Sequence, residues 1–292
     1  MSHAPTKGII LTGGHGSRLH PATKAVSKQL LAVYDKPVIY YPLGVLMEMN
    51  VREVLIIANE CDIAGFRTLL GDGSQLGISI SCIPENDPKG IANAFLLGKE
   101  FIGTDNVALV LGDNIFCDTE QIIAATERYS RGALTFGAKV NNPAEFGVVE
   151  LDSNGRVLSI EEKPAHPKSN VAVTGLYVYD NDVVKIAGKL KPSRRGELEI
   201  TDVNRVYLDK GKLEIEVLAE EVIWFDTGTA DGMLLAGNYI ASIERTTGQK
   251  IGCLEEIAYR KGLVSKSRAE SLAHAMPQCN YREYLLSVLR ER

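Results

Sequence analysis

The stretch GIILTGGHGSRLHPATKAVSKQL, residues 8–30, decides how this chain folds at its front end. Gly8-Ile9-Ile10-Leu11 is a short apolar run of the kind that forms a buried strand, and it breaks directly into a glycine-rich loop. Gly13, Gly14 and Gly16 let the backbone turn tightly and approach a ligand, so that amide N–H groups can face phosphate oxygens. Arg18 and Lys28 add two separated cations that can neutralise the charge such oxygens carry. The commonest nucleotide fingerprints do not fit. A Walker loop would end in Gly-Lys-Ser/Thr, and the dinucleotide loop would need a third glycine and an acidic residue about 20 positions on.

Working outward, the first half alternates β-rich runs with helical stretches. Gly8–Leu11, Glu53–Ala58, Ile78–Cys82 and Val107–Leu111 are apolar and β-branched with little alternation, as strands covered on both faces require. Between them the spacing predicts helices over Val38–Met49, Ile63–Leu70, Ile91–Phe101 and Thr119–Tyr129. This order predicts an α/β, Rossmann-like, mainly parallel sheet flanked by helices, with ligands at the carboxyl ends of its strands. From about residue 132 the pattern turns β-rich. Leu134–Val140, Gly147–Leu151, Val157–Glu161, Thr174–Tyr179 and Leu213–Leu218 read as strands, and Asp152-Ser153-Asn154-Gly155 reads as a hairpin turn. After Ala230 the chain reads as helical, over Gly232–Glu244, Leu254–Lys261, Lys266–His274 and Tyr281–Arg290. The expected division is an α/β core over residues 1–230, containing a β-rich insertion at about 132–220, and a helical part over 231–292.

Bulk properties narrow the function. The 292 residues carry 32 basic and 37 acidic side chains, a net charge of −5, with no basic block, which argues against a nucleic-acid partner. Phosphate binding must then be local. The five cysteines lack CxxC spacing and suit reduced thiols, and the five histidines show no metal-ligand spacing. With no apolar run of about 18 residues and no signal core, a cytoplasmic protein without a membrane partner is expected.

The segment Gly13-Gly14-His15-Gly16-Ser17-Arg18-Leu19, followed by Pro21, Thr23 and Lys28-Gln29, resembles the GGxGxRL–P–T–KQ signature of sugar-1-phosphate nucleotidyltransferases. Further collinear motifs, LGDNIF, EEKP, VTGLY, GELEITD, WFDTGT and EEIAYRKG, are similar to those of the short bacterial glucose-1-phosphate thymidylyltransferases. The resemblance implies transfer of a nucleoside monophosphate from a nucleoside triphosphate to a sugar-1-phosphate, with Mg²⁺ as cofactor. It also implies a homo-oligomer, commonly a tetramer, often with a regulatory nucleotide-sugar site near subunit contacts.

Asp113, after the strand Val107–Leu111, and Asp226, in Trp224-Phe225-Asp226-Thr227-Gly228, are carboxylates at strand ends and form the candidate metal site, since magnesium prefers oxygen ligands. By matching motifs, Leu11, Gly13, Gly14, Gly16, Ser17, Arg18, Gln29, Glu85, Pro88 and Gly90 would bind the nucleotide. Asn114, Phe146, Gly147, Glu162, Lys163, Val173 and Arg195 would bind the sugar phosphate, with Thr174-Gly175 around the sugar. The expected catalytic set is Arg18, Lys28, Asp113, Lys163 and Asp226.

Four positions depart from the family pattern. Glu85 stands where a glutamine reads the base, Phe146 where a tyrosine is usual, His15 replaces a small loop residue, and Ala32 replaces a proline. A Gln amide can both accept from thymine N3–H and donate to O4, whereas an ionised carboxylate only accepts, which suits the two adjacent donors of guanine. The readings that follow are dTTP with glucose-1-phosphate, GTP or another triphosphate with this or a different sugar, and a catalytically silent nucleotide-sugar-binding homologue.

Overall fold

A computed structural model describes residues 4–14 and 16–290, so His15 lies outside the described residues. The chain opens with β1 (Lys7–Leu11), passes single 3-10 turns at Ser17–Leu19 and Lys28–Leu30, and forms a small ribbon from β2 (Ala32–Val33) and β3 (Lys36–Pro37). Then follow α1 (Tyr40–Glu48), β4 (Glu53–Ala58), α2 (Glu60–Leu70), β5 (Ser79–Pro84), α3 (Asn93–Leu97) and α4 (Lys99–Ile102). Next come β6 (Val107–Leu111), β7 (Asn114–Phe116), α5 (Glu120–Arg128), β8 (Ala133–Lys139), β9 (Gly147–Leu151), β10 (Val157–Glu162), β11 (Val171–Tyr179) and α6 (Asp182–Ala187). The chain ends with α7 (Ile200–Asp209), β12 (Leu213–Val217), β13 (Trp224–Asp226), α8 (Ala230–Thr247), α9 (Leu254–Arg260), α10 (Lys266–Ala275) and α11 (Asn280–Arg290).

The main sheet runs β10-β9-β11-β6-β1-β4-β5, with β8 paired to β11 and β12 paired to β8. The strands β6, β1, β4 and β5 are mutually parallel, and β11 joins antiparallel to β6. The expected parallel core and the β-rich segment therefore share one sheet. Alternate residues of each central strand feed different cores. Val54, Ile56 and Ala58 of β4 face the side packed by α1, while Leu55 and Ile57 face the side packed by α3. Ala108 and Val110 of β6 divide from Val107 and Leu109 in the same way. Burial on both faces is why these strands read as continuous apolar runs. Each such Val, Leu or Ile side chain contributes about 1.5–3 kcal/mol.

The helix expected over Ile91–Phe101 is two short helices broken at Gly98, where an added Cβ would lie 3.0 Å from both the Ala94 carbonyl oxygen and Ile9 Cδ1. Close packing of that turn onto β1 interrupts the helix. Two helices, α6 and α7, stand within the segment expected to be a β-rich insertion. Helix α7 buries Ile200, Val203 and Tyr207, the spacing of one helical face.

Candidate active site

Strand register puts the key loops at one edge. Leu11 pairs with Leu111 across β1 and β6, and Pro84 of β5 pairs with Ala58 of β4. The glycine loop, Asp113 and Glu85 thus all leave the sheet at its carboxyl end. Gly14 has φ +100° and Gly16 φ +56°, left-handed conformations that glycine adopts without a Cβ clash. Gly16 caps the turn holding Ser17 and Arg18, and its carbonyl accepts from the Thr23 hydroxyl at 2.8 Å.

Lys28 forms an ion pair with Asp113. Gln29 is buried, with its Oε1 accepting from Ser27 Oγ at 2.6 Å and its Nε2 without a partner among the described residues. A buried, unpaired amide donor at this edge is costly unless a ligand meets it.

The strand pair β7–β13 brings the two aspartates together, with Asp226 opposite Asn114 in antiparallel register. Thr227 fixes the junction. Its backbone N–H and its hydroxyl both donate to the Asp113 carbonyl, at 2.9 and 2.7 Å. Burial and the neighbouring Asp113 push the Asp226 carboxyl above its ordinary value, although the Gly228 amide, Arg18 and Lys28 draw it back in part. Arg18 packs against Gly228, where any Cβ would collide with its guanidinium. Two carboxylates that repel each other fit a divalent cation, whose charge would relieve that repulsion. Among the described residues no cluster of three His, Cys, Asp or Glu side chains could hold one. The remaining coordination would therefore come from phosphate oxygens and water.

A cavity of about 450 Å³ opens beside this pair, lined by Arg18, Asn114, Phe146, Glu162, Lys163 and Trp224 among others. Gly147, Val173, Thr174 and Gly175 also border it, as the sequence reading expected. Gly175 must be glycine, because a Cβ there would sit 2.6 Å from the Asn114 carboxamide. Its N–H donates to Asn114 Oδ1 at 2.9 Å, as does Trp224 Nε1 at 2.6 Å. Asn114 Nδ2 in turn donates to Asp113 Oδ1 at 3.1 Å.

Lys163 follows β10 with φ +43°, a left-handed conformation that costs a non-glycine residue about 1–3 kcal/mol. Its N–H donates to the Phe146 carbonyl at 3.0 Å. That strain aims the side chain into the cavity. Phe146 meets Trp224 edge-on, with ring centroids 5.4 Å apart. Arg195, expected on phosphate, joins Glu162 at 3.2 Å and Glu199 at 2.8 Å. Glu162 also accepts from the Thr201 hydroxyl at 2.5 Å.

Glu85 lies apart from this cavity lining, near the glycine loop. Its Oε1 accepts from Asn93 Nδ2 at 2.7 Å, and a Cβ on Gly13 would lie 3.0 Å from Oε2. Gly90 has φ +98° and packs on the backbone of Leu198, tying the Pro88–Gly90 turn to the loop that carries Arg195. Trp224, Thr201, Thr227 and Asn93 were not singled out from the sequence as site residues. For Trp224 a signal existed: it is the one tryptophan of the chain and stands two residues before Asp226.

Residues 7–242 match the family model described as nucleotidyl transferase. The chain belongs to the nucleotidyl transferase family. Its relatives place it further. A glucose-1-phosphate thymidylyltransferase of Neisseria meningitidis serogroup A is 51% identical over 287 residues, covering 98% of this chain and 100% of that protein. One from Mycolicibacterium smegmatis is 49% identical over 285 residues, covering 97% and 99%. In the crystal, a Bacillus anthracis protein assigned as a glucose-1-phosphate thymidylyltransferase, solved with sucrose, superposes with a TM-score of 0.74. It is 38% identical and covers 80% of this chain and 94% of its own. A UDP-glucose pyrophosphorylase with UDP-glucose shares the fold at TM-score 0.71 and 22% identity, covering 82% of this chain and 99% of its own. The resemblance read from the motifs is borne out: this nucleotidyltransferase is an enzyme with glucose-1-phosphate thymidylyltransferases as relatives. No described helix is long and apolar enough to cross a membrane.

Proposed function

We propose that this enzyme transfers a thymidylyl group from dTTP to glucose-1-phosphate, with Mg²⁺, releasing pyrophosphate and forming dTDP-glucose. The observation that carries the reading is the convergence of Lys28, Asp113, Asp226, Arg18 and Lys163 beside one cavity of about 450 Å³. The names of the relatives support the pair of substrates.

The chemistry follows from charge. A sugar-1-phosphate has a second pKa of about 6, so its oxygen is already an anionic nucleophile at neutral pH. No general base or covalent intermediate is required. The protein must bring two polyanions together, align oxygen with the α-phosphorus, and stabilise the charge that develops. The amides of Gly13, Gly14, Gly16 and Ser17, with Arg18, hold the triphosphate and the leaving pyrophosphate. Leu11, Gln29, Glu85, Pro88 and Gly90 frame the nucleoside. Lys163 holds the sugar phosphate and, with Lys28, stabilises the transferring group. Glu162 accepts from sugar hydroxyls, Asn114, Phe146, Gly147 and Val173 shape the sugar side, and Arg195 orients Glu162 through their ion pair. Asp113 and Asp226 would hold Mg²⁺, which neutralises phosphate charge as a Lewis acid when bound.

The division between a catalytic core, residues 1–230, and a helical interface part, residues 231–292, belongs to the same proposal, as do the cytoplasmic setting and the homo-oligomer. A second cavity of about 370 Å³ between α1 and the C-terminal helices, bordered by Lys250, Glu256 and Arg260, supports a regulatory role for that part. The test is a Mg²⁺-dependent pyrophosphate-release assay over a grid of nucleoside triphosphates and sugar-1-phosphates. Highest kcat/KM with dTTP and glucose-1-phosphate is the expected result. Release with no pair at all would instead leave a silent binding homologue.

A further inference from the structure

The outer face of α8 differs from that of an ordinary surface helix. Among the described residues five large hydrophobic side chains are exposed, and three of them, Tyr34, Leu234 and Leu235, belong to α8 or to the turn packed on it. Leu234 and Leu235 are 63% and 60% exposed. Tyr34 lies on the turn between β2 and β3, and its backbone nitrogen stands 3.7 Å from where a Cβ on Gly237 of α8 would sit. It is held at φ +62°, a left-handed conformation that disfavours a tyrosine, and it too is exposed. The other exposed positions along the middle of the helix are Asn238 and Ser242, both uncharged. A solvated helix face ordinarily carries charges throughout. Here they stand only at the ends, Asp231 in the first turn and Arg245 in the last. Neither has an ion pair among the described residues.

An interface between two identical copies about a two-fold axis must be complementary to itself. This face meets that condition. Asp231, Leu235, Asn238, Ser242 and Arg245 are all exposed and recur at alternating steps of four and three, the seam spacing of paired helices. Asp231 and Arg245 lie about 21 Å apart along the axis, equally far from Asn238. An antiparallel copy, with the two-fold axis at Asn238, sets each Asp231 level with Arg245 of the second copy. It sets Leu234 level with the small Ser242, so that the helices can approach closely. The two Asn238 carboxamides then face each other, each with a donor and an acceptor to offer. Depletion of charge at the centre with charges at the rim is the ordinary anatomy of such a contact.

We propose that α8 docks antiparallel on α8 of a second copy of this chain, about a two-fold axis at Asn238, with the Tyr34 turn at the rim. This rests on the homo-oligomer reading given above and names the face that makes it.

The test is sedimentation equilibrium of the full chain and its variants. The unaltered chain is expected to contain an even number of copies. Leu234→Glu with Leu235→Glu is expected to halve the mass, with circular dichroism and urea unfolding checking that the fold is kept. Arg245→Asp sets two aspartates level and is expected to weaken self-association about tenfold or more. Adding Asp231→Arg to it restores opposite charges across the axis and is expected to restore association, a rescue that a structural role within one copy does not produce. Asn238→Cys, in a background carrying Cys61→Ser and Cys279→Ser, is expected to form a disulfide between copies under mild oxidation, whereas Leu97→Cys in that background is not. An oligomer that the leucine pair and the charge reversal leave intact, with no cross-link at Asn238→Cys, overturns this face alone. Charge reversal that the second substitution does not rescue overturns the antiparallel register. A single copy at every concentration leaves the face to a different partner and overturns the homo-oligomer reading as well.

Discussion

Arg18, Lys28, Asp113 and Asp226 at the strand edge, and Asp35, Lys36, Glu244 and Lys250 beside α8, contain the same charges, two of each sign. Their arrangements differ. The second group is a closed ring. Lys36 reaches Asp35 at 2.6 Å and Glu244 at 3.4 Å, while Lys250 reaches Asp35 at 2.5 Å and Glu244 at 2.9 Å. Burial pushes the Asp35 carboxyl up, but the two lysines outweigh it and hold it below its ordinary value. In the first group one pair is made, Lys28 with Asp113, and the Asp226 carboxyl is raised by burial and by Asp113. A ring in which each charge is answered holds structure; a cluster with unanswered charge is built to receive a charged ligand.

The comparison is broken most strongly at the open cluster. Arg18→Leu or Lys28→Met is expected to lower kcat by about 10²–10³-fold with little change in unfolding. Steady-state kinetics beside urea titration measures both, and near-normal turnover in either variant would remove that residue from the transfer step. The converse holds at the ring. Lys36 is 3% exposed, and Lys36→Met leaves Asp35 and the buried Glu244 to share Lys250 alone. It is expected to destabilise by about 3–5 kcal/mol in urea unfolding, with kcat altered only a few-fold.

Asp226→Asn sharpens the contrast further, because the two readouts move in opposite directions. A carboxyl whose folded value is raised destabilises the fold once pH exceeds that value. Replacing it removes the penalty, so the ligand-free variant is expected to unfold about 2 °C higher at neutral pH while losing activity. An unchanged or lower midpoint would show that the open cluster stores no strain. Asp35 has the opposite sign. Its depressed value gives stability that is present above the unfolded value and lost as pH falls through the folded one, below 3.8. Asp35→Asn should therefore lower stability at neutral pH and flatten its decline in acid, measured by thermal melts at successive pH values.

The central strands were legible in the sequence because burial on both faces leaves an unbroken β-branched run, as in Glu53–Ala58 and Val107–Leu111. The loop cations and the two aspartates were legible because their chemistry is local to a motif. The pairing of β7 with β13 was not. Each has three residues, too few for a period, and their partnership is set by tertiary packing across the chain. The partners of Arg195 were hidden for a related reason. Its sequence neighbours Glu197 and Glu199 were visible, but the Glu162 that shares its guanidinium comes from β10. The buried setting of Glu85 likewise depends on Asn93 of α3 and on the backbone of Gly13 after β1, both remote from it in sequence.

Asn114 links the aromatic wall of the cavity to Asp113 through three hydrogen bonds made by one carboxamide. This couples two features that selection would otherwise adjust separately. A mutation that reshapes the cavity wall at Trp224 or Gly175 also tilts that carboxamide and disturbs Asp113, the aspartate proposed to hold the metal. New sugar preferences in this scaffold should therefore arise more readily at Phe146, where no such tether exists, and lineages that diverge in substrate should keep the Trp224–Asn114–Gly175 triangle intact.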